Sequence, residues 1–129
     1  MIEITDCPIN FDTVFSRLNK ENSGSIVIHY AIVRSTEAGK KTTSMKFELD
    51  GDAEGEMKEL EKTLRSKWQV EDVLLIRRIG ELSIGDIISV AAASSEHRES
   101  AFGLCQEAVN SFKKMKTFKK KEIFERPEK

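Results

Sequence analysis

The sequence predicts an α/β (α+β) fold in one domain, a mixed sheet with helices packed on it. Three observations carry that expectation. Segments of helical periodicity alternate with apolar or period-two segments along the whole chain. The 129 residues are the length of one ordinary domain, so a single unit spanning 1–129 is expected. Hydrophobic residues at 39% and charged residues at 33%, with seven glycines and two prolines, suit a globular core under a solvated surface.

Residues 2–4 read as a short strand closed by Asp6-Cys7-Pro8. Phe11, Val14, Phe15 and Leu18 then recur at helical spacing, with Pro8 and Asn10 as start signals, until Asn22-Ser23-Gly24 breaks the helix. The stretch 25–33 is almost entirely apolar and β-branched, the pattern of a strand buried on both faces, and Arg34 closes it. Residues 35–41 read as a loop around Gly39. Thr43, Met45, Phe47 and Leu49 alternate with polar residues, the period of a half-exposed strand. After the turn Asp50-Gly51-Asp52, the spacing of Met57, Leu60, Leu64 and Trp68 predicts an amphipathic helix over 53–67. Residues 73–76 form a short buried strand, Gly80 and Gly85-Asp86 bracket a connection, and 87–93 form another core strand. Ser94 and Ser95 are candidate caps for a helix from Glu96 to about Met115, with Ala101, Phe102, Cys105, Ala108, Val109 and Phe112 as its apolar stripe. Residues 117–124 have strand character, and those beyond are expected to fray.

Several classes of function are disfavoured. No apolar run approaches the roughly 20 residues that span a bilayer, and the start lacks the basic-then-apolar pattern of a secretory signal. Cys7 and Cys105 are too few for a disulfide framework, and with His29 and His97 they do not spell a zinc cluster. A reducing cytoplasm is the expected compartment. No phosphate-binding glycine loop or nucleophile elbow occurs, and neither a metal nor a resident cofactor is expected.

Charge is polarised. Residues 113–129 carry eight cationic and three anionic side chains, a local balance of +5, while the remaining 112 carry −6. An anionic ligand or partner near the C-terminal segment would suit that asymmetry. His97 and Arg98 lie where a strand hands over to a helix, and unpaired N–H groups with a dipole's positive end make such a turn fit for phosphate. Lys113 ends the same helix and Lys120 follows seven residues later, so a chain reversal could bring both amines to one pocket. Lysine amines can hold an anion or move protons. Arg34, at a strand end, either lines a crevice or pairs with a neighbouring carboxylate. His29 within the apolar strand reads as a hydrogen-bonded core residue. Cys105, on the helix's apolar stripe, reads as a packing thiol.

Taken in order, these residues resemble a known family. Arg78-Ile-Gly-Glu-Leu-Ser-Ile-Gly-Asp86, then Ser94-Ser-Glu-His-Arg-Glu-Ser-Ala-Phe102, then Lys113 with Lys120-Lys-Glu122, are similar to the large, catalytic subunits of molybdopterin synthase. Gly24-Ser-Ile-Val-Ile-His-Tyr-Ala-Ile-Val-Arg34 resembles that family's first core strand and its terminal arginine. Similarity covers about residues 24–124, most specifically 78–122. Departures are Ala31 for the usual glycine, Asn110 for aspartate, Thr117 for proline and Lys119 for tryptophan.

The resemblance implies an α/β hammerhead-type fold and a homodimer with a small ubiquitin-like sulfur-carrier subunit at each end, a heterotetramer. It implies a sulfurtransferase that moves sulfur from the carrier's C-terminal thiocarboxylate to cyclic pyranopterin monophosphate, making the dithiolene of molybdopterin for molybdenum cofactor biosynthesis. Lys113 and Lys120 match the family's active-site lysines, and Arg34, His97 and Arg98 match its substrate and anion contacts. Two other readings stand beside it. A catalytically silent, carrier-binding scaffold would keep the groove without converging cations, and a nucleic-acid binder would spread its lysines along an exposed ridge. The sole tryptophan and tyrosine lie far from the lysine run, which disfavours nucleic acid.

Overall fold

The computed structural model describes residues 1–37 and 39–124. Along the chain lie β1 (Ile2–Thr5), α1 (Phe11–Arg17), β2 (Ser25–Ile32), β3 (Thr36–Glu37), β4 (Lys40–Leu49) and α2 (Ala53–Lys67). There follow β5 (Asp72–Arg78), β6 (Gly80–Ser83), β7 (Ile87–Ser95), α3 (Arg98–Lys114) and β8 (Phe118–Phe124). The mixed α+β class stands, with the strands divided between two sheets. The apolar runs of β5 and β7 occupy the middle of a four-stranded sheet ordered β1-β5-β7-β2, in which β1 runs parallel to β5 and the other pairs are antiparallel. In the second sheet β4 is central, with β6 on one side and β8 on the other, and β3 returns along its start.

Strand periodicity sorts the core. Val73, Leu75, Ala91 and Ala93 face α2 and α3, meeting Met57, Leu64, Ala101, Leu104, Cys105 and Ala108. Alternate residues Leu74, Ile76, Val90 and Ala92 face the other way, onto Val14 of α1 and Leu18 just past its end. Alanines on both β7 and α3 let helix and sheet approach closely, so a larger side chain at Ala91 or Ala101 would overpack the layer. Val33, Met45, Phe47 and Leu82 pack beside the second sheet. Among the described residues no helix is long and apolar enough to cross a membrane.

Helix limits follow local chemistry. The Asp52 side chain accepts from Gly55 N at 2.9 Å and caps α2, while Asn10 accepts from Asp12 N at 2.9 Å and caps α1. Gly103, inside α3, is there for space: a Cβ added to it would lie 2.3 Å from the Trp68 ring. That ring is fixed by Nε1 donating to Glu107 at 3.3 Å, with Lys67 paired to the same carboxylate at 2.7 Å. Gly103→Ala should therefore destabilise the fold by about 1–3 kcal/mol through overpacking, although alanine in a helix alone gains about 1 kcal/mol. Urea denaturation checks it; a higher midpoint in the variant would show that Trp68 yields freely.

Four expectations are corrected. The apolar run of β2 is half-buried because the strand lies at a sheet edge, and His29 is exposed on it rather than in the core. Within the stretch read as a loop, Thr36 and Glu37 of β3 pair with Lys41 and Lys40 of β4, and Gly39 has a φ of 78°. The glycine-bracketed connection contains β6, whose Leu82 is fully buried against β4. Ser94 and Ser95 do not cap α3; they finish β7, fully buried, with Ser94 Oγ donating to the Asn19 carbonyl at 2.6 Å and Ser95 Oγ to that of His97 at 2.5 Å. His97 takes the capping position, without a side-chain cap bond. Residues 125–129, expected to fray, lie outside those described.

Candidate active site

The C-terminal end of α3 builds the site. Lys113 and Lys114 occupy its last turn, where the dipole favours cations, and the helix stops at Met115 in extended conformation. Glu56 of α2 then holds the reversal. Its carboxylate accepts from Lys116 N and Thr117 N, each at 3.3 Å, and from Thr117 Oγ1 at 2.5 Å. The Thr117 carbonyl accepts from Asp50 N at 2.8 Å. From there β8 enters the second sheet in a register that sets Lys120 opposite Phe47. Lys113 and Lys120 consequently line one pocket, a cavity of about 390 Å³.

The first sheet supplies its floor. Ala31, Ser89 and Arg77 are cross-strand neighbours on β2, β7 and β5, and all three line the cavity. A register shift between Ala31 and Ile32 brings Ile88 to the same pocket. Phe47, Phe112, Met115 and Phe118 wall it with apolar surface.

Arg77 was absent from the sequence-based candidates. It is 5% exposed, and its guanidinium lies 4.2 Å from the Phe118 ring centre, 5.0 Å from that of Phe112 and 6.0 Å from that of Phe47. Nη1 donates to the Phe112 carbonyl at 3.0 Å and lies 3.5 Å from Met115 Sδ. Nε is buried with no partner. Burial pushes the guanidinium down to about 10, opposed by the charge of Glu56, so it remains cationic at neutral pH. The signal that could have found it is the one that pointed to Arg34: a cation closing an apolar strand.

Glu56 ties this geometry to pH. Burial raises its pKa, but the Thr117 hydroxyl, the two backbone N–H groups and the charge of Arg77 outweigh that and hold it below the usual carboxylate range. A lowered folded pKa stabilises fully above the unfolded value of about 4.3 and fades as pH falls through the folded one. Glu56→Gln should cost about 1 kcal/mol at pH 7, with the gap to wild type closing below about pH 4. Denaturation at both pH values measures it; a gap unchanged in acid would remove the carboxylate from this role.

The other candidates lie elsewhere. His97 and Arg98 start α3, sixteen and fifteen residues before Lys113, or about 24 Å along the helix. Their side chains are 79% and 77% exposed, and His97 borders a different cavity of about 470 Å³ beside Trp68, Gln69 and Glu71. Arg34 is exposed just past β2 and does not line the lysine pocket. Convergence of the tail lysines with Arg34 and His97 is thus met within this chain by the lysines alone. Cys105 is buried, with burial pushing its thiol up to about 12 despite a backbone hydrogen bond from Ala93, so it packs and does not attack. Among the described residues no cluster of His, Cys, Asp or Glu could hold a metal ion.

Comparison with known proteins bears on the whole chain. The family profile described as MoaE protein matches residues 4–115. A Bacillus subtilis (strain 168) protein named molybdopterin synthase catalytic subunit is 31% identical over 124 residues, covering 95% of this chain and 79% of that one. The crystal structure of molybdopterin synthase from Staphylococcus aureus superposes with a TM-score of 0.88 at 30% identity, covering 95% of this chain and 90% of that one. A complex of subunits 1 and 2 of molybdopterin-converting factor from Helicobacter pylori 26695 contains the same fold, with a TM-score of 0.77 at 15% identity over 95% of this chain and 84% of that one.

Proposed function

The chain belongs to the MoaE family, and from that membership we propose that it is the catalytic subunit of a molybdopterin synthase whose chemistry takes place in the Lys113–Lys120 pocket. Its reaction moves sulfur from the C-terminal thiocarboxylate of a small ubiquitin-like carrier to cyclic pyranopterin monophosphate. The observation that carries this reading is the meeting of two lysines, seven residues apart across a helix-to-strand reversal, in one concave and largely apolar cavity. An exposed ridge for nucleic acid would have left them apart. The pocket draws on β2, β4, β5, β7, α3 and β8, so the proposal takes 1–129 as one domain. The cytoplasm is its proposed compartment.

Roles follow from placement. Phe47, Phe112 and Phe118 set apolar surface beside the ammonium groups, which strengthens their pull on an anion. Lys120 holds the substrate or, together with other cations of the pocket, the thiocarboxylate. Lys113 moves the proton, or takes the carrier's carbonyl carbon transiently. In each transfer the thiocarboxylate sulfur bonds to a side-chain carbon of the pterin as a carbon–oxygen bond at that carbon breaks, the displaced oxygen leaving with a proton. The bond from that sulfur to the carrier's acyl carbon then breaks, and water supplies the oxygen that leaves the carrier as a carboxylate. Two carriers, acting in succession, deliver the two sulfurs of the dithiolene.

Arg34, His97 and Arg98 are proposed for the substrate phosphate. About 24 Å of helix keeps the His97–Arg98 pair from its own lysines. A two-fold dimer with the α3 helices antiparallel would set each pair against the partner's lysine pocket. The proposed assembly is therefore a homodimer with shared sites and a carrier at each end. Purified protein mixed with thiocarboxylated carrier and pyranopterin precursor should yield the dithiolene product; no product with an authentic carrier would reject the enzyme.

A further inference from the structure

A buried cation without an ion pair is costly, and Arg77 is one, compensated only through space by the charge of Glu56. Among the described residues it forms no ion pair, its only polar contacts are a carbonyl and a thioether sulfur, and its Nε has none. Three aromatic rings cradle the guanidinium, and the side chain forms part of the wall shared with Lys113 and Lys120. Rings attract the cation but cannot use its in-plane N–H donors. Those donors suit a planar anion with two acceptor atoms. Phosphate fits less well: it is tetrahedral and strongly hydrated, and this part of the pocket is apolar, with Nη1 already committed to Phe112.

We propose that Arg77 is the residue that reads the terminal anion of the carrier tail, its guanidinium holding the planar carboxylate or thiocarboxylate in the pocket lined by Lys113 and Lys120. Arg77 thereby acts on the tail and leaves the pterin phosphate to other cations. The assignment rests on the synthase reading for the identity of the tail, while the anion preference can be measured without turnover.

The probe is a hexapeptide ending in glycine with a free carboxylate, compared with the same peptide as its C-terminal amide. In the wild-type full chain, the carboxylate peptide should bind about tenfold more tightly than the amide, the size of one charge-assisted hydrogen bond. Arg77→Gln should bring the two within about twofold, with Arg77→Lys in between. A second measurement needs no folded variant. The Arg77 Nε–Hε resonance of wild-type protein should move on adding the carboxylate peptide, and stay in place with the amide or with inorganic phosphate. A resonance that follows phosphate instead, or stays still while Lys113 and Lys120 amides shift, overturns the proposal. In the sulfur-transfer assay Arg77→Gln should raise the KM for carrier more than it lowers kcat. Wild-type turnover with an unchanged carrier KM in the variant sinks the role of Arg77 alone, whereas absence of wild-type turnover sinks the synthase reading and leaves the peptide result to judge Arg77.

Discussion

Lys113→Ala should lower dithiolene formation by about 10²- to 10⁴-fold while carrier binding stays within about twofold of wild type. The magnitude is that of a group placed to move a proton or take a carbonyl carbon at the reacting centre. Its fold cost should be small. Lys113 is exposed at the last turn of α3, so the loss is a helix-dipole contribution of about 0.3–1 kcal/mol. Single-turnover assays with saturating carrier separate the steps, and calorimetry gives carrier affinity. Near-normal turnover in a folded Lys113→Ala protein would discard the role. Lys120→Ala should instead weaken substrate or carrier binding more than it slows the bound complex.

Mixing two dead variants should restore activity. If the pocket of one protomer is completed by His97 and Arg98 of its partner, Lys113→Ala and the double variant His97→Ala/Arg98→Ala carry complementary lesions. In a mixed dimer, one site then receives both lesions and the other neither. Equal mixing gives half of the dimers mixed, each with one intact site of two, so about a quarter of wild-type activity returns. If each site were built within one chain, every site would keep a lesion and the mixture would stay as inactive as its parts. Refolding the two variants together, with separately refolded and then pooled samples as the control, makes the comparison.

Local chemistry explains how much was readable. The helix over 53–67 is legible because Asp52 caps it and Met57, Leu60 and Leu64 stripe one face. The strands through 73–76 and 87–93 are legible as apolar runs bounded by glycine or polar residues. What escapes is partnership. β6 is four residues long and is a strand only because β4 pairs with it. His29 was expected in the core since its neighbours are apolar, yet an edge strand leaves it exposed. Ser94 and Ser95 look like caps by type, but the ladder with β2 and β5 continues through them.

By itself the sequence determined the α+β class, most of the elements and, through motif order, the lysine pair and the family it resembles. These are properties of neighbours along the chain: capping, periodicity and spacing act over a few residues. Only the tertiary structure decided that the strands form two sheets, that Lys113 and Lys120 share a cavity, that His97 and Arg98 stand a helix length away, and that Arg77 is buried among three rings. Each of those depends on which distant segments pair and what they cover, because burial and register are set by contacts across the fold rather than by the residues beside them in sequence.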